Sequence, residues 1–385
     1  MLTNSDVAEL TEWRRMLHRF PEVSREEVET ARQVVAALGP LKPDHVVTGL
    51  GGHGVAAVFE GAEAGPSVLF RSEIDALPIQ ELSDAAHRST ISGKGHLCGH
   101  DGHTTILMGL ARLLSRKRPA KGRVILMFQP AEEDGSGAAA VTADPAFAPL
   151  RPDWAFSLHN MPGLAFGRSR LKAGVVNYAS VGMKIALSGK TSHASEPEKG
   201  VSPGLAVARI IPALGALGAL GPGGVLSDEF RLTTVTHVRM GEPAFGIAPG
   251  YAEIWVTLRT ARDDRMAALR AAAETLAQDE AQAAGLNMAF SYDDEFVASV
   301  NDPDATAIME HAMGVLGMAY DDRDLPMRGS EDFGRFGHGG TRSAMMFLGA
   351  GVETPALHNP DYDFPDSLIP VGTHLFHKIA RDLLG

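Results

Sequence analysis

The sequence predicts an α/β protein of two domains. The larger is built on a sheet with a mostly parallel core, and a small ferredoxin-like (βαββαβ) domain is inserted into it. Three observations carry this. Runs that are apolar along most of their length, at 54–59, 67–71, 123–128, 154–158 and 344–348, alternate with amphipathic stretches, as expected of strands covered by helices on both faces. Between about 177 and 292 the order becomes strand, helix, two strands, helix, strand. Strand-like elements then resume, so the expected boundaries are 1–176 with 293–385 for the larger domain and 177–292 for the insert.

In chain order, Ser5 can cap a first helix that runs to about residue 18, with Leu10, Trp13 and Leu17 on one face and Pro21 as its stop. A second helix over 25–38 closes at Gly39-Pro40. Strand 67–71 leads into Ser72-Glu73-Ile74-Asp75-Ala76-Leu77-Pro78. Next comes Gly95-His96-Leu97-Cys98-Gly99-His100-Asp101-Gly102-His103, a loop ahead of an apolar helix at 104–114. Strand 123–128 ends in Gln129-Pro130-Ala131-Glu132-Glu133, strand 154–158 in His159-Asn160, and 344–348 runs on to Leu357-His358-Asn359-Pro360. In the insert, 181–187, 231–240, 251–258 and 287–292 read as strands. The stretches 203–214, despite Pro212, and 263–284 read as helices, and the Gly-rich 215–224 as a loop.

A formal charge of −12 over 385 residues, with no basic run, excludes a nucleic-acid surface. No window approaches a membrane span, and the N-terminus, with Asp6, Glu9, Glu12, Arg14 and Arg15, lacks the apolar core of a signal peptide. One cysteine forms no internal disulfide. The expected setting is cytoplasmic, with neither nucleic acid nor membrane as partner.

Thiolate and imidazole suit a borderline transition metal, and Cys98 and His100 stand one glycine apart, with Asp101 and His103 close enough to orient ligands. Asp75, Glu132, Glu133, His159 and His358 all lie just past apolar strands, where ligands collect in such sheets. Cys98, His100, Glu133, His159 and His358 exceed what one tetrahedral ion needs, but they suit two ions about 3.5–4 Å apart, with a thiolate or a water as bridge. Such a pair would acidify the water and polarise a substrate carbonyl. Glu132, beside a ligand, is free to carry a proton from water to a leaving amine. Asp75 reads as an orienter of a ligand imidazole or as a turn cap, and His193 as an oxyanion donor or a solvated loop histidine. The loop 330–333 reads as pocket lining or helix cap, and Arg259 as a grip for a substrate carboxylate or a surface arginine.

Arg15-Met16-Leu17-His18 with Pro21-Glu22, Asp75-Ala76-Leu77-Pro78, Cys98-Gly99-His100-Asp101-Gly102-His103, Gln129-Pro130-Ala131-Glu132-Glu133, His193-Ala194, Ser330-Glu331-Asp332-Phe333 and Leu357-His358-Asn359-Pro360 occur in this order over nearly the whole chain. Together they resemble the co-catalytic metallopeptidase/aminoacylase family, in its branch of hippurate hydrolases, indoleacetyl-amino-acid hydrolases and related N-acyl-amino-acid amidohydrolases. The resemblance implies a catalytic domain and an inserted lid through which subunits form a homodimer. It implies two divalent ions (manganese, zinc, nickel or cobalt) on Cys98, His100, Glu133, His159 and His358, with Cys98 bridging. Glu132 would be the general base, His193 would reach the oxyanion in its own site or in the neighbouring subunit's, and the substrate would be a small N-acyl or aryl-acyl amino acid.

Three departures bear on substrate recognition. Glu73 stands where the branch has aspartate in an Arg-x-Asp-x-Asp pattern, Gly246 stands where asparagine helps hold the substrate, and Ser195-Glu196-Pro197-Glu198 lacks a second histidine after His193. The rival readings are a dipeptidase or carboxypeptidase on the same scaffold, a metal-containing binding protein without turnover, and a hydrolase with Cys98 as nucleophile.

Overall fold

The computed structural model describes residues 1–219 and 229–385. It divides into two compact units, Met1–Val176 with Ser299–Leu325 and Glu331–Gly385, and Asn177–Ala298 with Pro326–Ser330.

The first unit opens with helix α1 (Asn4–Arg19), which is capped by Thr3, not Ser5. The Thr3 hydroxyl accepts from the Asp6 N–H at 3.2 Å and the Asp6 carboxylate accepts from the Thr3 N–H at 2.7 Å, a capping box with Asp in place of Glu. Helix α2 (Val28–Leu38) begins three residues later than expected, because Arg25 sits at φ 70°, outside the helical region.

Strand β1 (His45–Leu50) had no clear signal, since most of its residues are exposed. Strands β2 (Gly54–Glu60) and β3 (Glu63–Glu73) precede helix α3 (His100–Arg116), and strands β4 (Lys121–Gln129) and β5 (Trp154–Pro162) follow it. The sheet order is β1-β2-β4-β3-β5, then Arg342–Gly351, Ser169–Arg170 and Tyr320–Asp321. The four central strands β4, β3, β5 and Arg342–Gly351 run parallel, and β1 and β2 add antiparallel at one margin. This is the mostly parallel core expected from the continuously apolar runs. Val68, Phe70, Val124, Leu126, Phe156 and Met346 are buried in it with Ile106, Leu110 and Leu114 of α3. The helices Pro303–Leu316 and Leu368–Leu384 escaped the sequence reading and bury Met309, Met313, Leu375 and Ile379 in the same core. Among the described residues no helix is long and apolar enough to cross a membrane.

A buried charge cluster fastens α1 to α3. Arg14 donates to Asp101 at 3.1 Å, Asp363 at 2.6 Å and Asp366 at 2.8 Å. His18 lies 2.9 Å from Asp101 through Nδ1 and 3.3 Å from Glu81 through Nε2. Burial works against charge on His18, but the hydrogen bond and charge of Asp101, with Glu81, outweigh it and raise its pKa to about 9. A histidine raised above its unfolded value of about 6.5 contributes stability that is complete below that pH and is lost as pH rises through about 9. The unfolding free energy in urea is therefore expected to fall between pH 7 and 9.5, with a shallower slope in His18→Gln. Equal slopes would remove His18 as the source.

In the second unit the strands Arg231–Met240, Tyr251–Thr260, Ala179–Ser188 and Asn287–Phe296 lie in that order, every neighbouring pair antiparallel. Helices Gly204–Leu217 and Asp263–Ala283 bury Ile210, Leu214, Leu269 and Ala273 against Met183, Ile185, Ile254 and Val256. Of the expected loop 215–224, residues 215–217 close the first helix, and 220–224 lie outside the described residues.

Candidate metal centre

Parallel strands bring their carboxyl ends to one edge, so the segments that follow β3, β4, β5 and Arg342–Gly351 converge there. Helix α3 begins at the same place, four residues earlier than the sequence suggested, so His100 and His103 occupy its first turn instead of a loop before it. Gly99, its N-cap, has φ 92°, and a Cβ there would lie 2.4 Å from Asn160 Nδ2.

The structure brings Cys98, His100, Glu133, His159 and His358 together. Their ligand atoms form overlapping groups, each within 4.8 Å: Cys98 with His100 and His159, Cys98 with Glu133 and His358, and His100 with Glu132 and Glu133. Cys98 Sγ is 3.4 Å from His159 Nε2, His100 Nε2 is 3.8 Å from Glu133 Oε1, and His358 Nε2 is 3.6 Å from Glu133 Oε2. Glu132 Oε2 lies 3.9 Å from His100 Nε2.

Tautomers follow from the partners. His100 Nδ1 faces the Asp75 carbonyl at 3.0 Å and its carboxylate at 3.1 Å, and His159 Nδ1 faces the Asn160 carbonyl at 2.8 Å. Each Nδ1 therefore carries the proton and each Nε2 presents a lone pair inward. Asp75 accepts from the Glu133 N–H at 3.0 Å and the Ser24 hydroxyl at 2.8 Å, so one buried carboxylate aligns an imidazole and a glutamate together.

Two observations test whether metal ions fit. His100 Nε2 and Glu133 Oε1 are buried and have no hydrogen-bond partner among the described residues, although buried polar atoms are normally satisfied. The charge is also lopsided. Burial, then the negative Glu331, Glu133 and Asp332, push the Glu132 carboxyl well above its ordinary range, and burial with Asp75 carries Glu133 up to about 7. Cations are what such a carboxylate group lacks. Burial and both glutamates also push the Cys98 thiol well up, the opposite of what a cysteine nucleophile requires.

Around this set lies a network the sequence reading missed. Arg71, fully buried at the end of β3, reaches Gln129 at 2.7 Å, Asp332 at 2.6 Å, Glu331 at 2.9 Å and also Glu73. Glu331 caps the short helix Asp332–Gly340 by accepting from the Phe333 N–H, so the loop 330–333 is a cap whose carboxylates also face Arg71. Glu73 accepts from His103 Nδ1 at 2.7 Å, and His103 Nε2 accepts the Asn160 N–H at 3.0 Å. The longer side chain at 73 is thus taken up by Arg71 and His103. Asp101 turns to Arg14 and His18 and does not orient a ligand. Glu73 is two positions from Arg71, but Gln129 and Asp332 lie 58 and 261 positions away, so the sequence does not show what the guanidinium gathers.

In the second unit, the exposed His193 lies on a two-residue strand paired with Ile247–Ala248. Its Nδ1 accepts from the Ser195 N–H at 3.1 Å and contacts the Ser195 hydroxyl at 2.7 Å, so neutral His193 carries its proton on Nε2. Ser195, in the segment that lacks a second histidine, thereby sets the donor tautomer. Arg259 donates to the Arg328 carbonyl and the Ser330 hydroxyl, both at 2.9 Å. A Cβ on Gly246 would meet nothing within 4 Å.

Comparison with known proteins agrees with this architecture. The model of peptidase family M20/M25/M40 matches residues 69–382. An IAA-amino acid hydrolase (ILR1-like 4) of Arabidopsis thaliana is 30% identical, over 96% of this chain and 84% of its own. The hippurate hydrolase of Campylobacter jejuni is 28% identical over 96% of this chain and 95% of its own. Among solved structures, the Bacillus subtilis YXEP protein, described as a dinuclear metal binding peptidase, is 26% identical with a TM-score of 0.81 over 99% of both chains.

Proposed function

Since the chain belongs to peptidase family M20/M25/M40, we propose that it is a metal-dependent amidohydrolase cleaving the amide bond of N-acyl or aryl-acyl amino acids, with Glu132 as general base. The observation that carries this is a pair of buried atoms without a hydrogen bond, His100 Nε2 and Glu133 Oε1, 3.8 Å apart beside a second buried carboxylate, Glu132. The hippurate and IAA-amino acid hydrolases among the relatives point to the substrate class.

Cys98, His100, Glu133, His159 and His358 would hold two divalent ions of the manganese, zinc, nickel or cobalt kind. Bound there, the ions would supply an acidified water and positive charge against the amide carbonyl. Asp75 fixes the His100 ring and the Glu133 backbone. Glu132 takes the proton from the attacking water and delivers it to the leaving nitrogen, which departs as the free amino acid. His193 donates its Nε2–H to the oxyanion of the tetrahedral intermediate.

The insert, about 177–292, serves as a lid and dimerisation domain on this reading. Its edge strand Arg231–Met240 pairs along its length with Tyr251–Thr260 and on its other side meets Ala219 through Arg231, and Val238, Met240 and Trp255 are exposed, as a strand-to-strand homodimer would use. A buried free cysteine as metal ligand fits a reducing, cytoplasmic setting.

The test is a panel of N-acyl amino acids and dipeptides offered to protein stripped with chelator and resupplied with single metals. Activity is expected to vanish on stripping, return with metal, and favour N-acyl amino acids, in protein whose solution mass is twice 40.8 kDa. Turnover indifferent to chelator would sink the metal reading, and preference for dipeptides would replace the substrate class.

A further inference from the structure

Glu27 is fully buried at the N-cap of α2, yet its side chain does not cap that helix. Glu22 performs the capping, accepting from the Glu29 N–H at 3.2 Å, the Thr30 N–H at 2.7 Å and the Thr30 hydroxyl at 2.9 Å. Glu27 Oε1 instead accepts from the backbone N–H of Ala131 at 2.8 Å, across 104 positions of chain, and its other oxygen is buried without a hydrogen-bond partner among the described residues. Ala131 has φ 51°, a left-handed conformation that costs an alanine about 1–2 kcal/mol. A carboxyl buried beside Asp75 is costly too, and burial with that negative neighbour raises its pKa to about 7. Two unfavourable features thus meet at one hydrogen bond, and the next residue is Glu132.

The turn has a second, separate anchor. The Glu133 N–H is held by Asp75, itself held by Ser24, while Gly137 donates to the Ala131 carbonyl at 2.9 Å and Gly135 to the Glu132 carbonyl at 2.8 Å. Glu133 thus has a backbone anchor of its own, whereas Glu27 holds the N–H of the residue that precedes Glu132.

We infer that Glu27 is a positioning residue for the Glu132 carboxylate, acting through the Ala131 N–H; this rests on Glu132 being the proton carrier. Glu27→Met keeps the volume and removes the acceptor, Glu27→Gln keeps an amide oxygen for the Ala131 N–H, and Glu27→Asp keeps the charge but falls one methylene short.

With Glu132→Gln alongside, kcat, KM and metal content per chain are measured after loading with manganese. Glu27→Met and Glu27→Asp are expected to lose about 10²-fold in kcat, with KM and two ions per chain retained, and Glu27→Gln to recover to within about 3-fold of the parent. A merely structural Glu27 would lower the metal-loaded fraction and leave kcat per loaded site unchanged. Wild-type kcat in Glu27→Asp, equal impairment of Glu27→Gln and Glu27→Met, or metal loss that accounts for the lost activity would each overturn the inference. Should Glu27→Met not accumulate as soluble protein, Glu27→Asp against Glu27→Gln decides. If Glu132→Gln remains active, the reading of Glu132 has failed and the inference falls with it; if Glu132→Gln is dead and the Glu27 variants are unimpaired, only the inference has failed.

Discussion

Glu132→Gln is expected to hold two metal ions per chain, bind substrate with nearly unchanged KM, and lose about 10²–10⁴-fold in kcat, the range attached to a positioned general base. The amide has the same shape and remains an acceptor, but it cannot take a proton. The lining of the site separates this effect from loss of structure. Glu132 stands among Glu133, Glu331 and Asp332, whose charges together with burial hold its carboxyl high, so removing its charge relieves repulsion. The metal-free variant should therefore unfold at the same temperature as the parent or above it. Glu133→Gln should behave differently, losing metal before it loses turnover per bound metal, because Glu133 faces both His100 and His358. Steady-state kinetics with metal analysis on the two variants decides it. Near-normal kcat in Glu132→Gln would remove Glu132 from the chemistry.

The parallel-core sheet was legible because its central strands carry little but apolar side chains, and five such runs in one chain leave few other architectures. The residues at the site were legible for a related reason. Polar groups that follow such strands stand out against them, and Cys98, His100, Glu133, His159 and His358 do converge. What sequence patterns do not contain is pairing over long separations. Arg71 reads as the last residue of an apolar strand, and only the fold reveals that it meets Glu331 and Asp332. Glu27 reads as one acid in the run Glu26-Glu27, and its partner is a backbone N–H with no sequence signature. Helix starts were misplaced where a backbone exception governs them: Gly99 at φ 92° lets α3 begin at His100, and Arg25 at φ 70° delays α2.

Arg71→Met is expected to cost about 3–5 kcal/mol of stability, the penalty for leaving buried charges without their partner. The guanidinium is buried with Glu73, Glu331 and Asp332 around it. Burial opposes its charge, but Glu331 and Asp332 overcome that opposition and raise its pKa. Methionine fills a similar volume, so the loss comes from the stranded carboxylates and not from a cavity. Arg71→Lys keeps a charge but cannot fork toward several acceptors, and should fall between the two.

The pH dependence has a definite sign. Asp332 already has its pKa raised to about 7, by burial first, and only Arg71 and hydrogen bonds such as that from Gln129 restrain it. Without Arg71 its folded pKa rises further above the unfolded value. An acid raised in this way binds its proton more readily when folded, so acid pH favours the folded state and stability is lost as pH climbs toward and through the folded pKa. The gap between Arg71→Met and the parent should accordingly be smaller at pH 5.5 than at pH 8 in urea unfolding. Saturating divalent metal should narrow it at both, because cations held beside Glu133 offset the repulsion among the neighbouring carboxylates more in the variant, which lacks the Arg71 charge, than in the parent. A gap below about 1 kcal/mol, the size of an exposed ion pair, or one that ignores pH, would show that Arg71 does not balance the acidic wall of the site.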